Sequence, residues 1–163
     1  MLSQRCLLAL FAGLLLTLSA LAQGASDANS KVLFVCEHGA AKSVMAAAHF
    51  NKLAKERGLG IRAMSRGTNP DPAVSPKVIA GLRAEGLTAI SRKPQLLSEQ
   101  DVSDAQRVIT LGCKLPHKAE AADWNDFPSP NEDYAAATRV IQRHVEALLD
   151  EVSVARGNAA KAK

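Results

Sequence analysis

The sequence has little excess of either charge and no internal repetition. Twenty Lys and Arg residues stand against sixteen Asp and Glu, a formal net charge of +4, and much of the excess lies in residues 156–163. So small a charge gives at most a mild preference for anionic ligands and makes no case for nucleic-acid binding. The absence of repeats and of long linkers indicates a single domain.

The sequence also lacks the histidine spacing of a metal site. His49, His117 and His144 stand apart from cysteines and carboxylates at ligand spacing, so we predict no metal, and no cofactor is expected. Aromatic residues are sparse. The single tryptophan and the single tyrosine, Trp124 and Tyr134, are expected to anchor the last helix, with the rim of a pocket as the alternative.

The long apolar run of the sequence lies at its N-terminus. Residues 6–21 follow Arg5, are interrupted by only three small residues, and end in Ala20-Leu21-Ala22. This pattern is typical of a cleavable secretory signal, here residues 1–22. A retained anchor is the alternative, but the run is shorter than the ~20 residues that a spanning helix needs. We therefore expect export, to a bacterial periplasm, and no membrane association after cleavage.

After removal of the signal, we expect the remaining chain to consist of three parts. Residues 23–30 form a polar lead-in, residues 31–153 the folded domain, and residues 154–163 a basic tail that we expect to be disordered. About 140 residues suffice to bury a core.

Short strands and amphipathic helices alternate along this domain. Continuously apolar runs predict strands at residues 31–35, 61–65 and 107–111. Helices are predicted to begin at Ser43, at the Ser75-Pro76 pair and at Ser98. A last helix buries one face, made of Ala137, Ile141, Val145, Leu148 and Val152. This order predicts an α/β fold with a parallel sheet and helices on both faces.

The loop between the first strand and the first helix carries the chemistry. It reads Cys36-Glu37-His38-Gly39-Ala40-Ala41-Lys42-Ser43. Its small residues let successive N–H groups point at one centre, and the helix N-terminus adds positive potential. Such a cradle fits a tetrahedral oxyanion and favours the thiolate of Cys36, which makes this residue a candidate nucleophile. We expect Glu37 to face solvent and His38 to be a partly exposed loop residue.

This Cys-x5-Lys-Ser loop, placed after a strand and before a helix, resembles that of the low-molecular-weight protein tyrosine phosphatases and of the arsenate reductases that share their fold. The family has Cys-x5-Arg followed by Ser or Thr. The resemblance continues through residues 65–68, 98–111 and the region of Trp124, and so covers the domain at 31–153. It implies a single doubly wound domain with a four-stranded parallel sheet.

The resemblance also implies a mechanism for phosphomonoester hydrolysis. Cys36 would attack phosphorus and form a phosphocysteine, and Ser43 would help the sulfur leave. The oxygens would be held by the oxyanion-binding residues, which are Glu37, His38, Gly39, Ala40, Ala41 and Lys42. An aspartate on a late loop would protonate the leaving group and then activate water. Phosphate or a related oxyanion and a phosphorylated substrate are therefore the expected partners.

Two departures from the family pattern weaken the expectation of efficient catalysis. Lys42 replaces an arginine, and a lysine ammonium is a point charge that cannot grip two phosphate oxygens with a planar fork. Ser129 stands where the family has the aspartate of an Asp-Pro pair. Asp126 is our candidate for the missing acid, with Asp123 as an alternative.

Cys113 leaves three roles open. It follows the strand at 107–111, so it points to the same end of the sheet as Cys36. It can pack at the strand end, form a disulfide with Cys36, or act as the resolving thiol that the resemblance to arsenate reductases implies. The function is accordingly predicted as phosphatase, with thiol-dependent arsenate reduction and non-catalytic phosphate binding as alternatives.

Overall fold

The computed structural model describes residues 30–161, except residues 117 and 127. The predicted signal sequence, His117 and all but the last residue of the predicted lead-in lie outside the described residues. In the described part of the chain, no helix is long and apolar enough to cross a membrane.

The described chain forms a four-stranded sheet flanked by helices. The strands are β1 (Ser30–Cys36), β2 (Ile61–Gly67), β3 (Ala105–Thr110) and β4 (Ala122–Asp123). The helices are α1 (Lys42–Glu56), α2 (Pro76–Ala84), α3 (Glu99–Ser103) and α4 (Tyr134–Lys161). The strand order is β2-β1-β3-β4 and every neighbouring pair is parallel, which confirms the predicted fold.

The two faces of β1 pack against different helices. Val32, Phe34 and Cys36 belong to the larger core cluster, which also contains buried residues of α1, α2 and α4. Leu33 and Val35 belong to a smaller cluster on the other face, beside Leu97, Val108 and the α3 residue Val102. Because successive side chains of a strand point to opposite faces, this alternation places the Cys36 thiol on the α1 and α4 side of the sheet.

The polar residues predicted to start α2 and α3 do so, whereas α1 begins one residue before the predicted Ser43, at Lys42, without a side-chain cap. The Ser75 hydroxyl accepts a hydrogen bond from Val78 N, and Pro76 occupies the first turn of α2. Ser98 and Asp101 form the predicted capping box at the start of α3. These caps satisfy amide groups that have no partner within the helix.

The prediction of a disordered tail at residues 154–163 is wrong for residues 154–161. Residues 154–161 continue α4, which runs to Lys161. The segment contains three alanines, Arg156 and Lys161, all of them strong helix formers, and Gly157 alone does not end the helix. The basic segment is therefore the end of a helix rather than a separate tail.

Candidate active site

A tight loop joins β1 to α1 at the carboxyl edge of the sheet. Gly39 has φ +58, a conformation that side chains rarely adopt. A Cβ on Gly39 would lie 2.8 Å from the backbone nitrogen of Gly67, and a Cβ on Gly67 would lie 2.8 Å from that of Gly39. Two glycines are therefore needed for the loop to lie directly against the end of β2.

Backbone hydrogen bonds fix the direction of the peptide groups in this loop. Residues 68–75 donate to its carbonyls through four bonds: Thr68 N to Cys36 O, Asn69 N to Glu37 O, Asp71 N to His38 O and Ser75 N to Ala40 O, at 3.2, 2.8, 3.0 and 2.9 Å. In a trans peptide the N–H points opposite to the carbonyl. The N–H groups of residues 37, 38, 39 and 41 therefore point away from the 68–75 segment, toward the space beside Cys36.

The Cys36 thiol lies at the base of this space and contacts one hydroxyl. Cys36 Sγ is 3.1 Å from Ser43 Oγ, and both residues are buried. Ser43 lies in the first turn of α1, so the helix itself positions the hydroxyl. The hydroxyl can donate to a thiolate, which is a charge-assisted interaction.

Lys42 brings a positive charge to the same space. It is half-buried at the first position of α1, and its Nζ would lie 3.7 Å from a Cβ built on Gly112, directly after β3. A Cβ at this position would make ordinary contact with the ammonium, so space alone does not require glycine there. Gly112 has φ +73, a backbone conformation that favours glycine.

These groups line a cavity of about 160 Å³. Its walls come from the loop, from the end of β3 and from the segment before α4: Cys36, Glu37, His38, Ala41, Lys42, Leu111, Gly112, Ser129, Pro130 and Asn131. Glu37 and His38 are exposed, as predicted, while Ala40 is buried beneath the loop. The cavity thus joins a thiol, an ammonium and a ring of amide groups.

The predicted acid does not line this cavity. The Asp126 carboxylate lies 2.7 Å from His144 Nε2, and this hydrogen bond holds the pKa of Asp126 below its usual range. Asp123 is committed elsewhere, since its Oδ1 accepts from Thr110 Oγ1 and Gly112 N at 2.7 and 3.0 Å. Ser129 lines the cavity instead. The role assigned to Asp126 stays a prediction without geometric support.

Trp124 belongs to the support of α4 rather than to the cavity. Its ring stacks on His144 of α4, with centroids 4.7 Å apart, and contacts Phe34 of β1. The predicted anchoring role is therefore confirmed for this residue.

Cys113 lies at the same edge of the sheet as Cys36 but packs on the opposite face. Both thiols are free. Cys113 Sγ is 3.5 Å from Val35 O, and the residue packs against the cluster of Leu33 and Val35, opposite the cluster that holds Cys36. Burial, followed by the proximity of Cys36 and nearby carboxylates, raises the pKa of the Cys113 thiol. This arrangement fits packing.

Sequence reasoning missed the segment that supports the cavity from outside. Ser75 bonds Ala40 O through its N–H and Asn131 Oδ1 through its hydroxyl, and Lys77 Nζ bonds the carbonyls of Asn131 and Glu132. No signal in the sequence indicated this, because Ser75 is 35 residues from Ala40 and 56 residues from Asn131. The start of α2 thereby ties the oxyanion loop to the wall before α4.

Comparison with known proteins follows this geometry. Residues 31–124 match the model of the family described as low molecular weight phosphotyrosine protein phosphatase. The chain belongs to this family. A putative arsenate reductase of Halobacterium salinarum is 27% identical over 135 residues, which cover 77% of this chain and 95% of the relative.

Two solved structures are similar to this phosphatase-family chain. An arsenate reductase of Archaeoglobus fulgidus is 31% identical, with a TM-score of 0.61 over 73% of this chain and 98% of its own. A low-molecular-weight phosphotyrosine phosphatase of Vibrio cholerae shares the fold, with a TM-score of 0.66 at 20% identity over 76% of this chain and 97% of its own. Both kinds of enzyme therefore occur among the relatives of this phosphatase-family chain.

The described residues contain no group of three His, Cys, Asp or Glu side chains that could hold a metal ion.

Proposed function

We propose that the protein hydrolyses phosphomonoesters through a phosphocysteine on Cys36. The observation that supports this most is the contact of Cys36 Sγ with Ser43 Oγ at 3.1 Å, at the base of a cavity toward which the loop amides point. A thiol so placed faces the bound phosphorus, and the hydroxyl can stabilise the sulfur each time it carries negative charge.

The reaction takes two steps at this site. Cys36 Sγ attacks phosphorus, the S–P bond forms, and the P–O bond to the leaving group breaks with its electron pair on oxygen. Water then attacks phosphorus, and the S–P bond breaks with its electron pair on sulfur, beside Ser43. The N–H groups of residues 37, 38, 39 and 41 and the Lys42 ammonium hold the remaining oxygens, where negative charge collects.

Lys42 and Ser129 limit the rate. Lysine offers no planar fork for two oxygens, and the loss of one positioned donor typically costs about 10²-fold in rate. Ser129 supplies no carboxylic proton on the side of the cavity where the resemblance implies one. We therefore expect the best substrates to be aryl phosphates whose leaving groups are stable as anions.

The test is turnover of 4-nitrophenyl phosphate by the chain without its first 22 residues. Wild type should show slow release of 4-nitrophenol that vanadate inhibits, and Cys36→Ser should abolish it. Cys113→Ser is the matched control, a second thiol removed from the opposite face of the sheet, and should keep the activity. Turnover that persists in Cys36→Ser would exclude the proposal, and phosphate binding without any turnover would favour a non-catalytic binder.

Arsenate reduction is the second candidate, and it is supported by the presence of a second free thiol, Cys113, close enough to Cys36 to feel its charge. In that reaction the two thiols would give two electrons to arsenate, leaving arsenite and a Cys36–Cys113 disulfide, which an external dithiol would reduce again. The 27% and 31% identical relatives, both described as arsenate reductases, support this reading. Dithiol-dependent arsenite formation that Cys113→Ser abolishes would establish it. Export of the enzyme stays a proposal from residues 1–22 alone.

A further inference from the structure

A histidine–aspartate pair lies at the mouth of the cavity. His38 lines the cavity of Cys36 and also an adjoining open groove of about 630 Å³ along residues 71–77. Its Nδ1 lies 3.3 Å from Oδ1 of Asp71, and about half of each side chain is exposed, 54% for His38 and 49% for Asp71. The pair therefore contacts both the cavity and the solvent from which a substrate enters.

The backbone holds this pair together from both sides. Asp71 N donates to His38 O at 3.0 Å, so the two residues are joined by a main-chain bond as well as by their side chains. Asp71 stands between Pro70 and Pro72. A following proline favours extended conformations for the residue before it, which limits the backbone freedom of Asp71.

The cavity wall offers few other groups that can exchange a proton with a leaving group. Apart from the nucleophile, the titratable lining residues are Glu37, His38 and Lys42. Lys42 lies beside Gly112, beneath the loop. Glu37 is 64% exposed, with Oε2 at 3.9 Å from His38 Nε2. His38 alone combines a place on the wall with a carboxylate that orients it.

We propose that His38, oriented by Asp71, replaces the missing aspartate as the proton donor of the first step. The inference rests on the proposed phosphomonoester hydrolysis. The Asp71 carboxylate lies 3.3 Å from Nδ1 and can orient the imidazole through its charge, so that a third group orients the acid or base; Nε2 is the nitrogen that we assign to the substrate. Histidine suits both roles because its imidazole gives and accepts protons near neutral pH.

The proton balance of the two steps is then complete. In the first step, Nε2 of the imidazolium gives its proton to the leaving oxygen as the P–O bond breaks and the bond from Cys36 Sγ to phosphorus forms. In the second step, the neutral imidazole takes a proton from the attacking water as the S–P bond breaks. His38 ends protonated, Cys36 ends as thiolate, and the ester has become alcohol and phosphate.

The chain contains a matched control for this pair. His144 and Asp126 form a second histidine–aspartate contact at 2.7 Å, and neither residue lines the cavity. Substitution of His144 therefore removes the same chemical group from a similar partner without affecting a proton donor at Cys36.

The experiment measures kcat/KM for phosphomonoesters of increasing leaving-group pKa, from 4-nitrophenyl through phenyl to alkyl phosphate. His38→Gln should lower kcat/KM by about 10²-fold for the alkyl ester and by only a few-fold for the 4-nitrophenyl ester, because an activated leaving group needs no proton. Asp71→Asn should change the slope in the same direction by less, and His144→Gln should leave it unchanged. Affinity for inorganic phosphate should stay that of wild type in all three variants.

Three results would overturn the assignment. If His38→Gln lowers kcat/KM equally for all esters, so that the dependence of kcat/KM on leaving-group pKa is unchanged, His38 is not the proton donor. If Glu37→Gln steepens the slope and His38→Gln does not, the donor is Glu37. If wild type shows no Cys36-dependent turnover of even the 4-nitrophenyl ester, the proposed function itself fails and this inference fails with it.

Discussion

Substitution of Gly67 by alanine should disable the site from outside it. Gly67 lies at the end of β2 and is not among the residues that line the cavity. The added methyl would lie 2.8 Å from Gly39 N, 3.0 Å from His38 C and 3.1 Å from Glu37 O, all of them backbone atoms of the oxyanion loop. Because backbone cannot rotate away like a side chain, the loop itself has to move.

The size of the effect follows from these contacts. Ordinary contact begins near 3.4 Å, so the loop must retreat by roughly 0.6 Å, the difference between 3.4 and 2.8 Å. Overpacking of this kind typically costs about 1–3 kcal/mol of unfolding free energy. A displacement approaching 1 Å at a reacting centre can cost about 10²-fold in rate. We therefore expect a tenfold to hundredfold loss of kcat/KM and weaker phosphate binding.

The assay compares Gly67→Ala with Gly58→Ala. Gly58 has φ +66 and open space around it, at the far end of α1, so alanine there costs about 1 kcal/mol through backbone strain without approaching the loop. Urea unfolding measures the stability of both variants, and calorimetric titration measures phosphate affinity. If Gly67→Ala binds phosphate and turns over substrate like Gly58→Ala, the close approach of the two glycines does not shape the site.

Three further predictions concern other contacts. Lys42→Arg should raise kcat/KM for 4-nitrophenyl phosphate by about tenfold or more, since the guanidinium fork can hold two oxygens; an unchanged or lower rate would mean that the cavity is built for the ammonium. Asp101→Ala should lower the free energy of unfolding by about 2–4 kcal/mol at pH 7, because it leaves the largely buried Arg66 without its two hydrogen bonds of 2.9 and 2.7 Å. The control Asp104→Ala breaks an exposed ion pair with Lys31 and should lower it by under about 1 kcal/mol. Burial acts to raise the pKa of Asp101, but the hydrogen bonds from Arg66 and Ser98 outweigh burial, and the pKa is lowered. The stabilisation by the ionised carboxylate is therefore present above about pH 4 and lost below it. The difference in unfolding free energy between wild type and Asp101→Ala should shrink over the same acid range. Burial and the hydrogen bond to Glu85 raise the pKa of Tyr134. The unfolded chain therefore loses the tyrosine proton first, and the free energy of unfolding should fall as the pH rises above about 10. The absorbance of this single tyrosine follows its ionisation directly, and Tyr134→Phe should abolish this loss of stability at alkaline pH.

Local signals in the sequence were sufficient for most of the fold. Ser75 with Pro76, and Ser98 with Asp101, mark helix starts because the side chain that caps a helix lies next to it in sequence. The Cys36 loop is equally local, since one strand, one turn and one helix place its thiol, hydroxyl and amides. β4 escaped residue-level prediction because two residues carry no periodicity.

The parts that sequence reasoning missed depend on contacts between distant segments. The sequence around Gly67 does not indicate that this residue lies directly against Gly39, and the sequence around Asp71 does not indicate that its carboxylate lies beside His38. The choice of Asp126 as acid failed to find geometric support for the same reason: its carboxylate is bonded to His144, eighteen residues further along the chain. Side-chain direction after a loop is set by tertiary partners rather than by spacing.

The bonds from residues 68–75 to the loop carbonyls have a consequence for the thermodynamics of the whole protein. They hold the four N–H dipoles side by side whether or not a ligand is present, so the order of the site is already part of folding and an anion relieves their mutual repulsion. An anion that binds only the folded chain raises its unfolding free energy, by about 2.7 kcal/mol at a hundredfold excess over its Kd. Stability measured in phosphate and in chloride will therefore differ, and the difference measures the affinity of the loop.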